Sequence, residues 1–177
     1  MIELIVVIAI VAILSAVAAP SFVSTTQRFR VMAEMNVFAG DLNFARAEAV
    51  KQGLPVMMCP ANSDVTDCAT TNTWQSGWIV YAFMDSAAPT VKTVLRKQVA
   101  WATSNTSNKD TLTGDNSSPY LVTFSRDGFA AAAPTASTGL TTFTLRTTPT
   151  NNAATKCVQI NKAGRQVTLS YTVGSCT

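Results

Sequence analysis

The sequence predicts an α+β protein in which one long N-terminal helix leads into a β-rich head, the second half of the helix lying across an antiparallel sheet. Three observations carry that prediction. Met1 to Ala19 is almost wholly apolar, with no charge, proline or glycine from Leu4 onward and Ser15 as the one polar residue beyond Glu3. Val31, Met35, Phe38, Leu42, Ala45 and Ala49 then recur at alternate spacings of four and three, which lays them along one helical face. After Gly53, seven short stretches are β-branched or aromatic and bounded by turn residues, and strands following a single long helix mark α+β.

The apolar run satisfies its own backbone hydrogen bonds as a helix, so it suits lipid and not water. Glu3 does not fit a plain span. A carboxylate at membrane depth costs about 2.5 to 3.5 kcal/mol, so its presence requires a partner that compensates its burial. A secretory signal cut near the small-x-small triplet Ala16, Val17, Ala18 is a competing reading, but a signal carries a basic n-region and this run has none. A simple membrane anchor leaves Glu3 without a use. Proline is tolerated in a first helical turn, so the helix is expected to resume after Pro20, with no further proline or glycine before Gly40. Arg28, Glu34, Asp41, Glu48 and Lys51 lie off the apolar face, leaving this half to pack through its stripe. Gly40 weakens it by about 1 kcal/mol relative to alanine, which packing overrides. Gly53, with Pro55 behind it, reads as the C-cap. The chain thus divides into 1–20, a transmembrane segment; 21–52, the amphipathic half of the same helix; and 53–177, the head.

In the head the expected strands are Val56–Met58, Trp78–Phe83, Val91–Leu95, Tyr120–Phe124, Thr141–Arg146, Cys157–Ile160 and Gln166–Tyr171. Ala102–Pro119, rich in Thr, Ser and Asn, and Ala130–Gly139, an alanine and threonine linker with Pro134, are expected as exposed loops. With its start committed to lipid, a chain of 177 residues leaves room for one domain with a core. Net charge is only +3 but uneven: Gly128 to Thr177 contains no acid, while Arg146, Lys156, Lys162 and Arg165 are basic.

Four cysteines in two sequence-local pairs, in a chain that begins with an export element, read as disulfides worth about 2 to 4 kcal/mol each. Local pairing joins Cys59 to Cys68 and Cys157 to Cys176, the three possible connectivities remaining formally open. The spacings are not C-x-x-C and the chain has no histidine, which disfavours zinc. Without histidine or a free thiol the usual general base and nucleophile are missing, so neither an enzyme, a cofactor nor a metal is expected. Asp64 and Asp67, in a loop rich in Asn, Asp and Ser, read as turn formers or solvated acids.

The stretch MIELIVVIAIVAILSAVAAPSF resembles the N-terminal segment of type IV pilins and type II secretion pseudopilins. In that family the cleavage site is followed by phenylalanine, threonine, leucine, isoleucine and glutamate; Met1, Ile2 and Glu3 fall on the last three positions, and the basic leader and the glycine before the cut would lie upstream. The resemblance implies that Glu3 pairs with the amino terminus of a neighbouring subunit in a filament core, and that the helix kinks or loosens at Pro20. For a full precursor a prepilin peptidase is an implied partner and methylation an associated feature, but neither processing nor N-methylation is read from this stretch.

Four further stretches resemble the GspH, FimT and FimU branch of minor pilins and pseudopilins: ARAEA at Ala45–Ala49, SGWIVY at Ser76–Tyr81, FSRDGFA at Phe124–Ala130, and the C-terminal arrangement of Cys157, the AGR of Ala163–Arg165 and Cys176. Together they span the chain. They imply the type IV pilin fold and a minor pilin built in near the tip of a pilus, priming its assembly for twitching motility, adhesion or DNA uptake. The same features fit the H-type minor pseudopilin of a type II secretion system. Either way the implied partners are other minor and major pilins or pseudopilins and the bacterial inner membrane, crossed once with the head on the periplasmic side before incorporation into the filament. Lys162 to Arg165 read as a hairpin turn with Lys162 and Arg165 at its tip and Lys156 nearby. This resembles the G-R-x-R loop by which some FimT-like pilins bind DNA, with Val167 in place of the second arginine; cations there would contact phosphates without reading bases, and a solvated turn is the plainer reading.

Overall fold

The computed structural model describes residues 2–83, 92–101, 110–115, 120–132, 140–148, 150–172 and 175–176. A single helix, α1, runs from Ile2 to Gln52 without interruption at Pro20, although the proline ring removes one backbone donor there. Gly53 ends it in the left-handed conformation at φ +66°.

Among the described residues ten strands follow: β1 (Val56–Pro60), β2 (Gly77–Phe83), β3 (Lys92–Val99), β4 (Thr111–Gly114), β5 (Val122–Phe124), β6 (Ala130–Ala132), β7 (Leu140–Arg146), β8 (Lys156–Asn161), β9 (Gln166–Thr172) and β10 (Ser175–Cys176). Every pairing is antiparallel. Where the sequence pattern predicts one sheet, the head has two five-stranded sheets, ordered β3-β2-β1-β5-β6 and β10-β9-β8-β7-β4. Alternation along a strand reveals which face is buried and not which strand lies beside it, so the split leaves no mark in any one segment.

Three strands arise where none is expected. β4 falls inside the predicted loop 102–119 and carries one apolar residue, Leu112, too little for a periodic signal. Its outer edge is completed by side chains: Asn72 donates to the Gly114 carbonyl and accepts from its N–H at 2.6 and 3.0 Å, and the Gln75 carbonyl oxygen accepts from Leu112 N–H at 3.2 Å. β6 opens the predicted linker 130–139 with three alanines, poor strand formers that pair with β5 only because the Ser125–Phe129 turn returns the chain beside it. β10 is two residues long, beside β9 and bonded through Cys176 to β8. Val91 and, of the predicted loops, residues 102–109, 116–119 and 133–139 lie outside the described residues.

Both sheets close on the same helical stripe. Val31, Met35, Phe38, Leu42, Ala45 and Ala49 are all buried, as the spacing predicts. Phe38 stands at the junction, its ring 5.2 Å from Trp78 of β2, 4.9 Å from Phe143 of β7 and 5.6 Å from Trp74 in the short 3-10 turn Trp74–Ser76. Gly77 makes the turn into β2 possible: its φ is +109°, and a Cβ there would collide with the Gln98 carbonyl oxygen of β3. β2 is buried on both faces because a second small core, Cys59, Ala61, Ile79 and Tyr81, forms on the other side of its sheet under the Cys59–Cys68 loop.

Because one phenylalanine meets aromatic rings from both sheets, Phe38→Ala should cost about 3 to 5 kcal/mol. Equilibrium unfolding of the full chain in detergent would measure it, and a loss below about 1 kcal/mol would show that the two sheets do not depend on that contact.

Candidate assembly site

The first half of α1 is an uncovered apolar rod. Side chains at 2–16 are all exposed, and the helix is long and apolar enough to cross a membrane. A helix that is hydrophobic all round is stable only inside lipid or among other helices. Ser15 returns its hydroxyl to the Val11 carbonyl at 2.7 Å, and Thr25 and Thr26 do the same to Ser21 and Phe22, so these hydroxyls need no water. Glu3 sits exposed in the first turn, where a carboxylate complements the helix dipole.

The second half of α1 is fastened to the head by polar ties on both flanks of its buried stripe. Near the junction with the apolar rod, Asn151 donates to Gln27 Oε1 at 2.9 Å. One turn on, Arg30 forks onto both oxygens of Asp110 at 2.5 and 2.7 Å. Asp41, only 4% exposed, accepts from the Trp78 indole at 2.8 Å and from Arg96, whose guanidinium also covers the Phe44 ring at 3.9 Å. Arg46 then reaches two loops at once: Nε donates to the Gly128 carbonyl at 3.0 Å and an Nη to the Ala163 carbonyl at 3.1 Å. Gly164, at φ +73°, permits this convergence, since a Cβ there would strike the Gly128 carbonyl and crowd Arg46. The ARAEA, FSRDGFA and AGR motifs, dispersed in sequence, thus meet at one guanidinium.

Glu34 is the exception among these charges. Its Oε2 is buried without a hydrogen-bond partner among the described residues, beside Asp110, which Arg30 already holds. Burial, then the charge of Asp110, push its pKa up to about 8. Arg30 is raised by its hydrogen bond to Asp110. On the far side of the head the Lys92 ammonium, 2.5 Å away, holds Asp67 below the usual carboxylate range, while burial pushes Tyr81, bonded to Asp67 at 3.2 Å, up to about 12.

The structure joins Cys59 to Cys68 and Cys157 to Cys176, with Cα atoms 5.5 and 6.0 Å apart. Asn62 shapes the first loop by accepting from the N–H groups of Thr66 and Asp67. Asp64 is exposed there, and no group of three potential metal ligands occurs among the described residues. Lys162 and Arg165 are exposed on the Asn161–Arg165 turn, closed by Gly164 N–H onto Asn161 at 2.8 Å. Lys156 does not join them. It begins β8 and Lys162 follows its end, about 20 Å away at strand rise, and its ammonium bonds Ser170. Arg126, in the neighbouring turn, faces Asp127 at 3.9 Å. The residues that sequence reasoning missed are Arg30, Asp41 and Arg46; only Arg46 carried a signal, its place in ARAEA.

Two measurements follow from the ties. Arg46→Ala strands two carbonyls and should lower stability by about 1.5 to 3 kcal/mol, and Arg46→Lys should not restore it, because an ammonium cannot reproduce the planar fork; full rescue by lysine would show that charge alone matters. For Glu34, below pH 4.5 both native and unfolded chains hold the proton, whereas between 4.5 and about 8 only the native chain does. Its contribution to stability is therefore lost as pH rises through that window. Glu34→Gln should gain on the wild type steadily from pH 4.5 to 8, and a difference independent of pH would refute the assignment.

Comparison with known proteins agrees with this architecture. Residues 34–164, well over half of the chain, match the family model described as type II transport protein GspH. Two crystal structures of the Pseudomonas aeruginosa type IV minor pilin FimU share the fold, one with a TM-score of 0.59 at 18% identity over 86% of this chain and 96% of that one, the other with 0.54 at 19% over 84% and 95%. Comparison with curated proteins gives no match. With its long apolar-then-striped helix, its disulfide-bonded β head and the family match across the head, the protein belongs to the GspH family of minor pilins and pseudopilins.

Proposed function

We propose that the protein is a minor pilin incorporated near the tip of a type IV pilus, where it helps to initiate assembly. Before assembly, residues 1–20 hold it in the bacterial inner membrane, while 21–52 and the head 53–177 stand on the periplasmic side. The observation that carries this reading is the contrast within α1: one half is exposed on every side, the other is fixed to the head by a buried stripe and polar ties. Such a helix has a place for neighbours along its free half, and Glu3 supplies the charge that a neighbour's amino terminus neutralises. Likeness to a type IV minor pilin supports the pilus over the secretion apparatus, whose H-type pseudopilin would use the same architecture.

DNA capture has less support. With Lys156 at the opposite end of β8 and Arg126 offset by Asp127, two exposed cations remain on the turn, too few for a strong phosphate-binding surface.

Glu3→Ala should reach the membrane normally yet be depleted from sheared filaments at least about tenfold, since a favourable buried charge pair is worth several kcal/mol. Equal incorporation would defeat the assembly role of Glu3. Deletion of the gene should reduce surface pili with exoprotein release intact; the reverse outcome would assign the protein to secretion.

A further inference from the structure

The outward face of the second sheet forms an open groove of about 370 Å³ that the assembly reading does not use. Its floor is polar: Thr113 of β4, Thr142 and Thr144 of β7 and Gln159 of β8, with Arg146 and Tyr171 forming one wall. Several of these groups are uncommitted. The side chains of Thr113 and Gln159 make no hydrogen bond among the described residues, and the Thr144 hydroxyl has only the sulfurs of Cys157 and Cys176 near it, at 3.9 and 3.8 Å. Arg146 is pre-set rather than free to collapse, its guanidinium lying 5.2 Å over the Tyr171 ring with one Nη 3.4 Å from the phenol oxygen. At the other end Asp115 is fixed by accepting from Thr142 N–H at 2.8 Å, about 13 Å along β7 from Arg146 at strand rise. The Cys157–Cys176 bridge, passing from β8 to β10 over β9, stiffens the side of the groove.

We propose that this groove binds an acidic saccharide of two or three residues. Hydroxyls and an amide in rows suit a ligand that is itself a row of hydroxyls. Arg146 takes the sugar carboxylate through a charge-assisted fork, and Asp115 accepts from ring hydroxyls at the far end. The face lies on β strands held by a disulfide, so little ordering accompanies binding. Nothing in this depends on whether the filament is a pilus or a pseudopilus.

The test is calorimetric titration of the full chain, in a detergent without a sugar headgroup, with trigalacturonate and with uncharged maltotriose. Trigalacturonate should bind at least about tenfold more tightly than maltotriose, and Arg146→Gln should remove about that factor. Gln159→Leu should weaken binding severalfold, while Lys162→Ala with Arg165→Ala should leave it unchanged. Near-UV circular dichroism identical to the wild type would certify that the exposed-site variants are folded. No binding of trigalacturonate, equal binding of maltotriose, indifference to Arg146→Gln, or equal loss in the Lys162/Arg165 variant would each overturn the proposal.

Discussion

The fold depends on one stripe of six apolar side chains on α1, and within it on the ring of Phe38. Neither sheet packs squarely on the other; each packs on the helix, and Phe38 is where Trp78 of the first sheet and Phe143 of the second come within one ring's reach. Edge-on contacts between aromatic rings add about 0.5 to 1.5 kcal/mol each beyond the area they bury, so this junction gains specificity of arrangement as well as hydrophobic burial. The division of the head into two sheets follows, because a single flat sheet offers one face to a helix whereas two sheets can embrace it.

That constraint explains why the two halves of α1 differ so sharply in composition. The striped half can carry Arg28, Glu48 and Lys51 because only one face meets the core. Side chains 2–16 are exposed on every side, and a charge among them is satisfied by lipid headgroups or by another molecule. Glu3 is the one acid placed there. The transition is marked by Ser24 and by Gln27, 8% exposed, both of which accept from the Asn151 side chain of the head.

The helix was the legible part of the molecule. Its apolar run, the spacing of the stripe and the glycine that ends it all have a short-range pattern, and the structure places them accordingly. Strands with alternating or continuous β-branched residues, such as β2 and β7, were legible for the same reason. β4 and β6 were not: one depends on Asn72 and Gln75 imitating a neighbouring strand, the other on a turn that returns three alanines to β5. Partners distant in sequence decide both. The polar ties are opaque in the same way, since Arg30 and Asp110 lie 80 residues apart and nothing local distinguishes them from other surface charges. The spread of cations near the C-terminus misled in the opposite direction, because six residues of extended β8 place Lys156 far from a turn that looks close in sequence.

The ties do something that the stripe cannot. A row of methyl and aromatic groups resists separation of helix and head but tolerates small rotations and slips, because dispersion contacts are weakly directional. Hydrogen bonds at 2.5 to 3.1 Å are not so tolerant. From Gln27 to Arg46 they occupy 19 residue steps, about 28 Å of helix, and they fall on both flanks of the stripe, so rotation that relieved one flank would break the other. In the assembly proposed above, where the free half registers against neighbours, the head's position is then set by the helix alone. A head fixed in this way would, in that proposed assembly, present its outer surfaces, the Cys59–Cys68 loop on one sheet and the groove on the other, at angles dictated by how the helices pack, so that helix packing sets the filament surface.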